Sequence, residues 1–383
     1  MPHLIVENFC PFKTPQIAEG VLFAFASKGA NGICSAELEG RRFLLRWFER
    51  RGRTILKTDK ATRPPLLNTV KLALQTLARI SNATIISRAF DRLKTDTKVN
   101  LFEPNDFISA LKHDTELWIE VGFGSGRHIL HNAKHATNKL HLGIETHRPS
   151  AEQLLKRAKD ERLSNIAVIV SDARAFISAL PTASTERVFV HFPVPWDDSP
   201  YRRIFNGAFA QETLRVLKRG GQLELRTDSK NYHETARKLL ETLKNVDLQT
   251  QINEEAAISS KYEDRWRRLD RDIYDLKMTN LQERKWSVNG GDFSFHQTVS
   301  ADRAIKKLER LLLMEDEMIL KTDRCWLLTS GGALFRFIFG ATRTPQTVYL
   351  KVEDNNAAYY PFAPLCSPQN LIAHTALLKV LYG

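Results

Sequence analysis

Apolar and polar positions change rhythm three times along the 383 residues. From residue 1 to about 60 the pattern is short and strand-like: Leu4 to Val6, Gly20 to Phe25, then Cys34 to Phe48 with partial alternation. Pro64-Pro65 interrupts it, after which Val70, Leu72, Leu74, Leu77 and Ile80 recur at helical spacing and predict a helix over 66–80. Thr84 to Ile86 predicts another strand, so residues 1–112 read as a small α+β domain. Between 113 and 280 the texture becomes apolar runs alternating with amphipathic stretches. Strands are expected at 117–121, 141–144, 166–170, 187–192 and 222–226, with helices at 127–133, 151–161, around 213–217 and at 232–243. Such alternation predicts an α/β domain on a mostly parallel sheet covered on both faces. An antiparallel pair, 247–252 with 272–278, would complete seven strands. Ser287 to Asp292, rich in Asn and Gly, reads as a linker. Beyond it come a strand around 293–299, a helix over 301–314, a meander through 318–352 and a last helix at 370–382, which make residues 281–383 a C-terminal α+β domain.

Charge adds a partner class. The net charge is +12, and residues 1–112 hold 18 Lys plus Arg against 10 Asp plus Glu, two thirds of the excess. Arg41, Arg42, Arg46, Arg50, Arg51 and Arg53 crowd around Phe43, Trp47 and Phe48, either as a grip for a polyanion or as a solvated strand pair with its rings turned inward. Cys10, Cys34, Cys325 and Cys366 lie far apart without C-x-x-C spacing, so neither disulfides nor a metal site is expected and a reducing cytoplasm fits. No apolar run approaches the roughly 20 residues a membrane span needs. Met1-Pro2-His3 does not open a secretory leader.

The chemistry is concentrated in the middle. The first strand there runs into Glu120-Val121-Gly122-Phe123-Gly124-Ser125-Gly126 and a helix follows at once, so the glycines permit a tight turn and close approach of a ligand to the backbone. The spacing is G-x-G-x-G, not the dinucleotide fingerprint, which favours S-adenosylmethionine over NAD. Glu145 ends the second strand, where a carboxylate accepts from both hydroxyls of a ribose; Asp172 follows the third, where it accepts from an adenine amine or caps a helix. Strand four leads into His191-Phe192-Pro193-Val194-Pro195-Trp196, then Asp197, Asp198, Arg202 and Arg203, with a ring for stacking beside guanidinium groups for phosphates or for a local salt bridge. Strand five closes on Arg226-Thr227-Asp228, and Ser260-Lys261-Tyr262-Glu263 gathers donors, a ring and a carboxylate.

Together, Glu120 to Gly126, Gly143 to Glu145, Ser171 to Ala173, Phe192 to Trp196 with Arg202-Arg203, Gly220 to Asp228 and Ser260 to Glu263 resemble the tRNA (guanine-N7-)-methyltransferases, over residues 113–280. The resemblance implies a class I Rossmann-like, S-adenosylmethionine-dependent methyltransferase fold with smaller α+β domains on either side. It implies methylation of N7 of a guanosine in tRNA, position 46 of the variable loop, by in-line SN2 displacement without a general base. At the cofactor it places Glu120, Gly122, Gly124, Gly126, Glu145, Asp172 and Val194; toward the substrate it places Asp197, Asp198, Arg202, Arg203, Asp228, Ser260, Lys261, Tyr262 and Glu263. Val194 stands where the family's Phe-Pro-Asp-Pro-Trp stretch has its acid, so Asp228 is expected to act as the guanine-side carboxylate. Two alternatives remain: a methyltransferase of the same fold acting on another RNA or a small molecule, and a catalytically silent RNA-binding protein. tRNA is the expected partner, without membrane or metal. The oligomeric state is open, and a monomer is compatible with the sequence.

Overall fold

The computed structural model describes residues 2–62, 67–89, 101–254 and 271–383. The chain divides into two compact units: Met1–Asp96 with Gly291–Pro364 and Gln369–Gly383 form one, and Thr97–Gly290 with Leu365–Pro368 form the other. The sequence pattern has three segments in series; in the fold the N-terminal and C-terminal segments share one unit.

The central unit holds a seven-stranded sheet in which Leu117–Val121 lies between Leu140–Glu145 and Thr185–His191. Ile166–Val170 borders Leu140–Glu145 at one edge; at the other, Leu217–Thr227 follows Thr185–His191, then Tyr274–Asn280 and Val246–Ile252. The first five strands pair in parallel and Tyr274–Asn280 runs antiparallel to both its neighbours. This is the expected Rossmann-like methyltransferase sheet. Its register sets the carboxyl ends side by side, with Val121 opposite Ile144, Val170 opposite Glu145 and His191 opposite Arg226.

One face is apolar: Ile119, Val121, Val188, Val190, Leu223, Leu225, Leu276 and Met278 pack with Phe176, Phe209, Tyr232, Ala236 and Leu240 from helices Ala173–Ala179, Gly207–Val216 and Lys230–Glu241. On the other side Ile129, Leu130 and Ala133 of helix Arg127–His135 pack with Leu154 and Leu155 of helix Arg148–Asp160 and with Ile166 and Val168. Two short helices, Pro104–Ala110 and Ala173–Ala179, have no counterpart among the elements expected from sequence. Each is seven residues long, too short to express a periodic stripe.

In the other unit, a seven-stranded antiparallel sheet carries helix Leu67–Ile80, whose Val70, Ala73, Leu74 and Leu77 are buried against it. The run expected as one strand over 34–48 is a hairpin, Gly32–Leu38 and Arg41–Arg50, turning through Glu39 and Gly40 at φ 52° and 74°. Along this strand Arg42, Arg46 and Arg50 alternate with Phe43, Leu45 and Trp47. Phe43 and Trp47 are buried, while Arg42 pairs with Glu37 and Arg53 with Glu7, as the inward-facing alternative holds. A five-stranded antiparallel sheet, Leu312–Glu315 to Asn356–Tyr359, packs Phe335, Phe337 and Phe339 with Ala373, Leu377 and Leu381 of helix Pro368–Tyr382. Residues 293–299 form no strand, and the helix expected over 301–314 ends at Leu308. The two sheets meet through Phe25, Ile33 and Leu44 packed with Trp326, Leu328, Leu334 and Tyr349. No helix among the described residues is long and apolar enough to cross a membrane.

Leu225, fully buried in the apolar face, tests the central core. Leu225→Ala is expected to destabilise that unit by about 2–5 kcal/mol. The measurement is the urea midpoint followed by a probe within the central unit.

Candidate active site

The turn after Leu117–Val121 is left-handed at Gly122, Gly124 and Gly126, with φ of 68°, 51° and 72°. Side chains other than glycine strain in that region. Gly126 is also the N-cap of Arg127–His135, and a Cβ there would lie 2.6 Å from the Leu154 side chain. At Gly122 an added Cβ meets nothing within 4 Å, so there is open space at that point of the loop. The Phe123 ring anchors the loop against strand two, where a Cβ on Gly143 would lie 2.6 Å from it.

Glu145 closes strand two beside this loop. One carboxylate oxygen, Oε1, accepts from the backbone N–H groups of Thr146 at 2.7 Å and His147 at 2.9 Å, which fixes the side chain. The other oxygen has no hydrogen-bond partner among the described residues and is available to a ligand. Asp172 caps helix Ala173–Ala179, accepting from the N–H of Arg174 at 2.9 Å. The Arg174 guanidinium also grips both its oxygens, at 3.1 and 2.6 Å, so cap and ion pair use the carboxylate first. Glu120 is buried, and its Oε2 lies 2.9 Å from Nδ1 of His128.

The segment after strand four is bent sharply. Phe192 and Trp196 hold φ of 48° and 45°, unusual for large side chains. Buried Arg203 ties this bend down: it donates to the Pro195 carbonyl at 2.6 Å, to Asp197 at 3.0 Å, to Asn231 and Thr235 at 3.2 Å, and packs over Tyr232. Its donors are thus spent within the fold, and it positions the loop. Arg202 is exposed and stacks its guanidinium 4.0 Å over the Trp196 ring. Val194 is 60% exposed and offers no polar group. Asp198 is exposed beside Asp197. Asp228 follows strand five, mostly buried, with Arg271 at 3.4 Å. Ser260, Lys261, Tyr262 and Glu263 lie outside the described residues. The glycine loop, Glu145, Asp172, Val194 with Asp197, and Asp228 therefore follow the carboxyl ends of successive strands, where open α/β sheets hold ligands.

A family described as "Putative methyltransferase" matches residues 114–276. The tRNA (guanine-N(7)-)-methyltransferase of Wolinella succinogenes is 36% identical over 98% of this chain and 99% of its own. Those of Campylobacter fetus and Helicobacter pylori are 34% and 33% identical, over 100% of this chain and 99% and 98% of theirs. The chain belongs to the tRNA (guanine-N7-)-methyltransferase family. Among solved structures, an antibiotic-resistance methyltransferase, Kmr, aligns with 49% of this chain at 16% identity and a TM-score of 0.36.

The match to these relatives runs through both flanking segments, whereas the motifs read from the sequence stop at residue 280. Sequence reasoning also missed a polar line beneath the parallel sheet of this family member. Glu120 pairs with His128; the His128 and His191 rings stand 4.4 Å apart; His191 Nε2 lies 2.9 Å from Glu224 Oε1. Arg226 follows, its Nε 2.9 Å from Asp275, with only 5% and 2% of these two side chains exposed. The signal was present in strand five, where Gln222, Glu224 and Arg226 alternate with Leu223 and Leu225. A parallel strand buried on both faces ordinarily reads as continuous apolar sequence.

Burial would push His128 down, but the charge and hydrogen bond of Glu120 overcome it and its pKa is raised. His191 is lowered, because burial outweighs its bond to Glu224. Glu224 is held at about 2: burial opposes its charge, and the hydrogen bond from His191 with the nearby positive groups prevails. Because His128 is raised in the fold, its pairing stabilises fully below the ordinary histidine pKa and is lost as pH climbs through the raised value. Glu120→Gln is therefore expected to move the His128 imidazole titration to lower pH by NMR. The parent's stability advantage over the variant should shrink as pH rises through that range.

Proposed function

We propose that this chain transfers a methyl group from S-adenosylmethionine to N7 of a guanosine in tRNA, at position 46 of the variable loop, in the cytoplasm. What carries the reading is the open left-handed glycine turn beside an unshared Glu145 oxygen, in a chain matched over its whole length by tRNA (guanine-N7-)-methyltransferases. The space over Gly122 and the free oxygen of Glu145 fit a ribose-bearing cofactor. Gly122, Gly124 and Gly126 would admit it, Glu145 would take the ribose hydroxyls, and Asp172 would face the adenine while keeping its cap. When bound, S-adenosylmethionine supplies an electrophilic methyl group on a sulfonium.

Guanine N7 already carries an in-plane lone pair, so no side chain has to remove a proton. The residues align the base, and alignment alone can contribute about 7–11 kcal/mol. Val194 cannot bind the guanine N1 and N2 hydrogens, and Asp197 is engaged by Arg203. Asp228 takes that role, with Arg202 on Trp196 as a stacked cation for the nucleotide or its phosphate. Ser260 to Glu263 complete the substrate side as the resemblance implies. The unit formed by the flanking segments adds contacts to the RNA backbone.

Labelled cofactor incubated with bulk unmodified tRNA should transfer its methyl, and cleavage selective for N7-methylguanosine should cut the product at position 46; no transfer refutes the proposal. Glu145→Gln keeps an acceptor for Thr146 and His147 but removes the charge. Cofactor affinity by calorimetry is then expected to fall roughly 10- to 150-fold, the range for a charged hydrogen-bond partner. Asp228→Asn should lower the single-turnover rate while leaving cofactor affinity near the parent value.

A further inference from the structure

Where the two sheets of the flanking unit meet, the fold gathers like charges. Arg46 on strand Arg41–Arg50 stands directly opposite Lys57 on Arg53–Thr58. On the other sheet, Arg324 stands directly opposite Arg336. Like charges in directly opposed positions destabilise a sheet. The two pairs converge on one buried ring: the guanidinium carbons of Arg46, Arg324 and Arg336 lie 5.9, 5.4 and 5.9 Å from the centroid of Trp326. Lys57 packs its ammonium 4.7 Å over Phe48.

The nearby carboxylates pair with two of these four cations, Arg336 and Arg46. Asp323 sits where the register shifts between Thr322 and Arg324, a β-bulge, and binds Arg336. Asp59 is buried with one oxygen accepting from the N–H groups of Ala61 and Thr62, and its other oxygen is 3.9 Å from Arg46. Arg324 and Lys57 have no carboxylate within ion-pair distance among the described residues. Burial, then the charge of Arg336, lowers Arg46 against the pull of Asp59, and burial with Arg46 lowers Lys57, whereas Arg336 is raised because its bond to Asp323 with other nearby negative groups outweighs burial. The Nε1 of Trp326, a side chain 95% hidden from solvent, has no hydrogen-bond partner either.

We infer that Arg46, Lys57, Arg324 and Arg336 form a binding site for the phosphodiester backbone of RNA, assembled jointly by the N-terminal and C-terminal sheets. An anion relieves both like-charge pairs at once, and guanidinium forks match phosphate oxygens in a way that solvated lysines alone do not. The choice of RNA over free phosphate rests on the tRNA reading above. The site also gives residues 281–383 a purpose, since they supply half of the cations and the bulge that aims them.

The test uses the full chain with Arg324→Gln and Lys57→Gln combined, both changes removing the charge while keeping a polar side chain that can donate hydrogen bonds. Without RNA, the double variant is expected to melt no lower than the parent, since repulsion is removed. It should also gain less melting temperature from added inorganic phosphate. Its affinity for unmodified tRNA should fall about tenfold, and its log–log salt slope should flatten by roughly 2. Unchanged tRNA affinity and slope overturn the inference. So does a melting temperature several degrees below the parent's, which would make the cations structural. Calorimetry of S-adenosylmethionine on the parent separates the two readings: failed cofactor uptake strikes the methyltransferase proposal and not this one.

Discussion

The turn after the first parallel strand is held by packing at both its ends, and the rest of the central unit is arranged around it. Left-handed backbone at Gly122, Gly124 and Gly126 brings the chain from strand to helix within a few residues. Leu154 fills the space a Cβ would need at Gly126, and the Phe123 ring occupies the corresponding space at Gly143. The loop is thus packed at these points while the space at Gly122 stays open. Because Gly126 is the N-cap of helix Arg127–His135, a side chain there would push on the start of that helix, two residues before His128.

That helix couples the loop to the polar line beneath the sheet. Glu120 comes from the strand before the loop and His128 from the helix after it; His191 and Glu224 belong to the next two strands outward. Buried charges are costly unless paired and hydrogen-bonded; Glu120 and Glu224 each have a histidine partner, and Arg226 forms an ion pair with Asp275. An arrangement of this kind does little for net stability compared with an apolar core, but it penalises wrong pairings. Slipping strand five by one residue would bury Leu223 and Leu225 among the histidines and drive Glu224 into the apolar face. His191 also directly precedes the bend at Phe192, so the same pairing anchors the loop that Arg203 holds from its far end.

Much of this was legible in the sequence where one residue type serves one physical demand. Glycines at Gly122, Gly124 and Gly126 announced the turn, and apolar runs announced five parallel strands whose observed spans differ mainly at their ends. Features set by register were not legible. The arginines of 41–53 look like a single cluster in one dimension, yet a period of two sends Arg46 toward Trp326 while neighbouring Trp47 enters the core. Pairing of Arg46 with Lys57, or of Arg324 with Arg336, needs the hairpin turns and the bulge at Asp323, and neither the Glu39-Gly40 nor the Arg51-Gly52 turn carries the usual Asn-Gly or Asp-Gly signal. Asp172 shows the opposite case: both readings, ligand acceptor and helix cap, were open, and the fold makes the cap visible through Arg174.

The chain leaves one unit near residue 96, builds the other, and returns at Gly291. Synthesis on the ribosome proceeds in one direction, so Phe25, Ile33 and Leu44 emerge long before Trp326, Leu334 and Tyr349, which cover them. The central unit is nearly whole by Gly290 and can collapse onto its own core while the first sheet still shows an uncovered apolar face. Completion therefore runs from the middle outward, and Phe25, Ile33 and Leu44 stay uncovered in a nascent chain until the C-terminal sheet has emerged.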